Sequence, residues 1–293
     1  MSPKPPPTED GQGAAMKYRW PVVAVVAVGL LAGAMGARAE GTLRVCSDPA
    51  YLPYSDRAGQ GFENAAARIV ADALHDKLEY TWYDTRGKGG FSQFLSQTLD
   101  KGECDVVMSL PYGSQEEQTT NPWYVSSYVF IFKKSKGYDI TSLDSPALHR
   151  LKIGFESETP IETGLQLRGM VTTATPFDVA GTPGESPRAM LQAVQDGKVD
   201  VMITWEPSVG AFLKDYPDLA VVMVPNERDM GPPEQYTFPM AMGVREGNKA
   251  LLDQLNGVIK AHQDELTRAL EAHGVHYPGA ASGSPSPGVA GVQ

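Results

Sequence analysis

With 293 residues, 42% of them hydrophobic, 20% charged and 9% aromatic, the chain has the composition of an ordinary globular protein and is long enough for one large domain or two lobes. Its net charge of −10 leaves no basic patch to hold nucleic acid, and two cysteines without clustered histidines do not make a zinc site. No resident cofactor or metal is expected.

The N-terminal stretch reads as a targeting signal. Met16-Lys17-Tyr18-Arg19 is a basic n-region, Pro21 to Met35 an apolar h-region, and Ala37-Arg38-Ala39 an A-x-A cleavage site before Glu40. Residues 1–39 are therefore expected to be the signal-peptide region, with Met16 as the true start and the periplasm as the destination. The apolar run is shorter than the ~20 residues of a spanning helix, so no stable membrane insertion is expected. Removing this region takes Lys4, Lys17, Arg19 and Arg38 but only Glu9 and Asp10, which makes the exported part more acidic still. Such a surface suits a soluble exported protein, or one steered toward a basic partner.

Leu43 and Val45 belong to a strand that Asp48-Pro49 stops, because proline lacks an N–H and pushes its predecessor into extended geometry. Ala66, Ile69, Val70, Ala73 and Leu74 then recur at helical spacing. Leu78 to Asp84 alternates as a strand, Phe91, Phe94, Leu95 and Leu99 mark a second helix, and Cys104 to Leu110 is an apolar run of the buried parallel type. This β-α-β-α-β order specifies a parallel sheet. GSQEEQTTNPWY reads as polar and turn-rich, YVSSYVFIFKKS as a strand leaving the first lobe, and Lys133 to Tyr138 as an exposed hinge.

A second unit repeats the pattern. KIGFES is a strand, Pro160 opens a helix, Phe177 to Ala180 is a short strand, and Pro187 to Gln195 is a helix. DGKVDVMITW, a turn and strand, echoes KGECDVVMSL of the first unit. A short helix from Pro207, the strand LAVVMVP, the Gly231-Pro232-Pro233 loop and the strand FPMAMGV come next, the last crossing back into the first lobe. A long helix from Asn248 to His273 ends at Gly274. The expected division is residues 40–134 with 236–277 as lobe 1, 135–235 as lobe 2, and 278–293 as a disordered tail.

Two α/β lobes joined by crossing strands leave a cleft, and the strand ends name its lining. On the first lobe these are Asp48, Tyr51, Tyr54, Phe62, Glu63, Ser109, Leu110, Thr119 and Thr120. On the second they are Ser157, Thr159, Trp205 and Glu206. Cys46 and Cys104 both lie in the exported part, where an oxidising compartment favours a disulfide. Two buried thiols are the alternative, since positions near one strand's end and another's start can be offset beyond the usual ~6 Å between Cα atoms. No catalytic residue is assigned: G-x-S-x-G, H-E-x-x-H and a P-loop are all missing, and His75, His149, His262, His273 and His276 fall in or beside helices or near the C-terminus.

The mature chain to about Tyr277 resembles type II periplasmic solute-binding proteins, the extracytoplasmic components of ATP-binding-cassette importers. LRVCSDPAYLPYSDRAGQGFEN, LEYTWYDTRG, GECDVVMSLPYG, TTNPWYVSSYVF and VMITWEP further resemble the quinoprotein-dehydrogenase-associated branch, the MxaJ/XoxJ family. That resemblance implies two α/β lobes around a cleft with two crossing strands. Amino-acid-binding relatives clamp their ligand with an arginine after the third strand and an aspartate at the end of the GKVDVMITW-type strand. Here PYGSQEEQTTN has no arginine, and Trp205 followed by Glu206-Pro207 replaces the aspartate; the branch itself has glycine where Glu206 stands.

The resemblance thus implies an accessory protein of a PQQ-dependent methanol dehydrogenase, the lanthanide-dependent type included, acting in maturation, activation or partner interaction. The dehydrogenase and its c-type cytochrome are the implied partners, with a small hydrophobic ligand as a further occupant of the cleft. Two alternatives stay open: a receptor for a non-zwitterionic solute, and a dehydratase-type enzyme using Glu206 or Asp48 as an acid.

Overall fold

The computed structural model describes residues 41–85, 89–115, 117–179, 186–226 and 234–276. The expected signal-peptide region, the tail and the Gly231-Pro232-Pro233 loop lie outside the described residues.

The first lobe opens with β1 (Gly41–Ser47), which buries Leu43 and Val45. A small hairpin of β2 (Ala50–Tyr51) and β3 (Ser55–Asp56) leads to α1 (Phe62–Leu74). Its apolar face, with Phe62, Ala66, Val70 and Leu74 buried, follows the three- and four-residue spacing of the sequence. β4 (Asp76–Trp82), α2 (Gly90–Gln97) and β5 (Val106–Pro111) complete the unit, with β4 and β5 parallel to β1 on its two sides.

β6 (Gln118–Lys133) then runs out of this lobe. The second lobe holds β7 (Ile153–Glu156), α3 (Pro160–Leu167), β8 (Thr175–Phe177), α4 (Arg188–Gln195), β9 (Val201–Trp205) and α5 (Glu206–Val209). β10 (Leu219–Met223) is next, and β11 (Thr237–Val244) brings the chain back for α6 (Lys249–Ala272). The nine-stranded sheet has the order β4-β1-β5-β11-β6-β9-β7-β8, with β10 also on β6. β6 pairs antiparallel with β11 from Gln118 to Ser127, and with β9 and β10 beyond that point. One strand therefore belongs to both lobes.

In the first lobe α1 and α6 cover one face, where Val70, Leu255, Ile259 and Leu266 share a core, while Phe94, Leu95, Leu99 and the cysteines pack on the other. In the second lobe Phe130, Phe155, Ile161 and Leu165 form one core, and Ile131, Met190, Leu191 and Met202 form the other. α6 is interrupted at His262 and ends before Gly274, whose φ of 75° is the left-handed region where glycine carries no Cβ penalty. The Gly274 carbonyl lies against Gly210, where a Cβ would collide with it, so the C-terminal end of α6 is seated directly on the start of the segment after α5.

Two expectations shift. The segment read as turn-rich contributes the first residues of β6, because a bulge opposite β11 accommodates Pro122 and the Thr120 hydroxyl accepts the Met242 N–H at 3.0 Å in place of a ladder bond. The strand expected at Phe177 to Ala180 lies instead at Thr175–Phe177, and Ala180 is outside the described residues. Parallel pairing of Gly154 with Thr175 and Glu156 with Phe177 sets that register.

Cys46 and Cys104 are joined in a disulfide with Cα atoms 5.5 Å apart. The Asp105 N–H donates to the Arg44 carbonyl at 2.7 Å, which holds the approach to β5 alongside β1. The bond closes a separation of 58 residues, so chain entropy assigns it about 4 kcal/mol. Replacing both cysteines by serine is expected to lower the unfolding free energy by about that amount, measured by denaturant titration.

Candidate functional site

The cleft is built first by the turn after β1. Asp48 accepts the Ala50 N–H on one oxygen and both the N–H and hydroxyl of Thr85 on the other, all at 2.7 Å. The Ser55 hydroxyl donates to the Asp48 carbonyl at 2.8 Å, and the Asn64 side chain accepts the N–H groups of Asp56 and Gly61. A polar loop is thereby fixed against α1 by its own side chains. It presents Tyr51 and Tyr54 stacked at 4.9 Å, with Phe62 at 5.1 Å from Tyr54 and Tyr124 at 6.2 Å behind Phe62.

The opposite wall grows from the end of β9. Trp205 lies 5.1 Å from Tyr128 and 6.0 Å from Phe238, so β6, β9 and β11 each contribute a ring. The Tyr54 and Ser208 hydroxyls hydrogen-bond at 3.0 Å between the two walls. Two cavities flank this bridge. One of about 220 Å³ runs beneath the first lobe, past Asp48, Glu63, Ser109 and the Cys46 sulfur. The other, about 290 Å³, lies toward Tyr128, Glu156, Thr159 and Phe238. Tyr51, Tyr54, Trp205 and Met240 border both.

Three carboxyl groups are lifted out of their ordinary range. Burial pushes Glu63 up to about 7, with a hydrogen bond from the Ser109 hydroxyl opposing the shift. Burial pushes Glu206 up to about 8, opposed by the His276 N–H at 3.1 Å and the Ser126 hydroxyl at 3.3 Å. Glu156 is raised by burial too, although it accepts from the Thr204 hydroxyl at 2.7 Å and the Trp205 N–H at 3.3 Å. The phenols of Tyr51, Tyr54, Tyr124 and Tyr128 are likewise pushed up by burial. A low-dielectric cleft penalises every charged form. No Lys, Arg or His borders either cavity among the described residues, and no group of three or more metal-ligating side chains is found among them.

No family model matches the chain. Protein MoxJ of Methylorubrum extorquens is 29% identical over 250 residues, covering 80% of this chain and 81% of the relative. The crystal structure of MxaJ from Methlophaga aminisulfidivorans MPT superposes with a TM-score of 0.70 at 26% identity, covering 80% of this chain and 98% of that one. The periplasmic binding protein XoxJ from Methylobacterium extorquens AM1 gives a TM-score of 0.62 at 28% identity, with 80% and 99% covered. Over most of its length the chain is similar to the MxaJ/XoxJ type of periplasmic binding protein. Among the described residues no helix is long and apolar enough to cross a membrane.

The residues expected from strand ends divide into two groups. Asp48, Tyr51, Tyr54, Glu63, Ser109, Thr159 and Trp205 line the cavities, as does Cys46. Phe62 is fully buried behind Tyr54, and Leu110 packs with the cysteines, Cys104 among them. Thr119 and Thr120 serve the β6 ladder and its turn, the Thr119 hydroxyl accepting the Gly113 N–H. The Ser157 N–H donates to Phe177, extending the β7–β8 pairing. Glu206 turns away from both cavities toward Ser126 and His276. Asp48 and Glu206, the two acids of the dehydratase alternative, therefore do not face a common space.

The lining residues that sequence reasoning missed are chiefly Ser47, Thr85, Phe91, Phe94, Met108, Tyr128, Glu156, Ser208, Phe238 and Met240. Glu156 stood at a strand end and was legible by the same rule as Ser157. Phe238 and Met240 reach the cleft only because β11 lies between β5 and β6.

Glu206 gives a pH test. Its folded value of about 8 stands above the ordinary 4.5, so the unfolded chain releases the proton first. The stability it contributes is fully present below about pH 4.5 and is lost as pH rises through about 8. Glu206→Gln, with an amide that accepts from His276 and donates to Ser126, is expected to remove roughly 3–5 kcal/mol of the stability lost between acid and alkaline pH. Denaturant unfolding across that range checks it, with Glu63 and Glu156, both raised by burial, adding slope of the same sign.

Proposed function

We propose that this protein is a periplasmic accessory protein of a PQQ-dependent methanol dehydrogenase system, the lanthanide-dependent type included. It acts in maturation or activation of the dehydrogenase, or by binding it, with the c-type cytochrome as a further partner. The observation that carries this reading is the cleft interior. No basic side chain among the described residues lines it, and a tyrosine of one wall bonds directly to a serine of the other. The basic half of a zwitterion clamp has no counterpart among the described lining residues. The likeness to MoxJ, MxaJ and XoxJ supports the dehydrogenase connection, and the leader-like residues 1–39 and the Cys46–Cys104 disulfide support export to an oxidising compartment.

Co-expression with the dehydrogenase encoded in the same genome is the test. The expected outcome is co-elution of the two proteins, and several-fold higher dehydrogenase activity with this chain than without it. Failure of the two to associate, together with unchanged activity, would overturn the proposal.

A second reading is favoured by the cavities themselves: a small hydrophobic ligand held among the Tyr51, Tyr54 and Trp205 rings, as in a receptor for a non-zwitterionic solute.

A further inference from the structure

We infer that the cavity beside the Cys46–Cys104 disulfide binds a small monovalent organic cation, an ammonium group on a compact apolar body. This deepens the small-ligand reading of the cleft and is independent of dehydrogenase association. Three features of the cavity carry it.

The first is uncompensated acidity. Asp48 and Glu63 both line the cavity, with no basic side chain among the described lining residues. Asp48 already accepts from Ala50 and Thr85. Among the described residues Glu63 has the Ser109 hydroxyl as its hydrogen-bond support, and a carboxylate has acceptor capacity for more. Around Glu63 stand Asp48 after β1, Tyr51 on β2, Tyr80 on β4 and Tyr124 on β6, while the nearby cation Arg68 of α1 acts on Tyr80 and donates to the Gly59 carbonyl. A second carboxylate cannot relieve Glu63, whereas a ligand cation can.

The second is an orphan hydroxyl. The Ser47 side chain is 3% exposed, borders the cavity, and its oxygen has no hydrogen-bond partner among the described residues. Buried polar atoms are nearly always paired, and this one marks where a ligand N–H would be received.

The third is the wall. Tyr51, Tyr54, Phe91, Phe94 and Trp205 surround the space, and aromatic faces attract a desolvated cation as well as an apolar body. A cavity of about 150 Å³ accommodates benzene, so about 220 Å³ suits a benzene-sized body with an aminomethyl group.

Calorimetric titration of the full chain with benzylammonium chloride, and with benzyl alcohol as the neutral isostere, tests this. At about pH 8 the ammonium is expected to bind at least tenfold more tightly than the alcohol. With Glu63 titrating near 7, its affinity falls about tenfold on going to about pH 6, because binding then has to displace the proton. Glu63→Gln is expected to abolish both the preference and the pH dependence while leaving weak binding of the alcohol. Equal affinities for the two probes, a pH-independent affinity, or no benzylammonium binding at millimolar concentration would each overturn the inference. The two wild-type titrations decide the matter even if the variant fails to fold. Loss of probe binding with dehydrogenase association intact would sink the cation site and leave the accessory role standing.

Discussion

The structure depends on one continuous ladder. β6 pairs with β11 through Ser127 and with β9 and β10 beyond it, so a single strand carries hydrogen bonds for both lobes. Both lobes' loops are thereby referred to one backbone. The bulge near Pro122 lets a strand this long bend, with Thr120 accepting the Met242 N–H and Asn256 the Asn121 N–H in place of ladder bonds. Where the pairing changes partner, Ser127 hydrogen-bonds to Tyr236 and Ser126 to Glu206. Polar side chains thus occupy the change-over, and apolar ones fill the cores on either side.

The cleft is a consequence of that axis. β9 ends at Trp205, which faces the cavities, while the next residue, Glu206, turns to the axis and the end of α6. Two residues further, Ser208 meets Tyr54. One short helix therefore touches the cleft, the shared strand, the C-terminal segment and the opposite wall. Its buried carboxyl is the point where protonation and the arrangement of the lobes meet. The aromatic lining and the raised carboxyl groups have the same origin, since rings that exclude water also remove the solvation that ionisation requires.

Much of the fold was legible from particular residues. The apolar spacing of Ala66, Val70 and Leu74 gives α1, Pro160 gives the start of α3, and the apolar run from Val106 gives β5. About a third of the described lining could be named from the residues just beyond each strand's carboxyl end. The rule failed at Leu110, Thr119 and Thr120 because side chains alternate across a strand, and position along it does not say which face is the cleft. It failed at Phe94 for the converse reason: helical spacing marks a buried face, and here that face borders a cavity, with the more exposed Phe91 at its edge.

The amino-acid sequence alone determined the alternation of strands and helices and the two-lobed class, because these rest on local periodicity. Only the tertiary structure decided that Glu206 serves the shared strand and not the cleft, that Tyr54 meets Ser208, and that Glu63 lies in a cavity bordered by rings and without a described basic neighbour. Those facts depend on how distant segments are packed, and the charge state of a carboxyl group is set by what surrounds it in space.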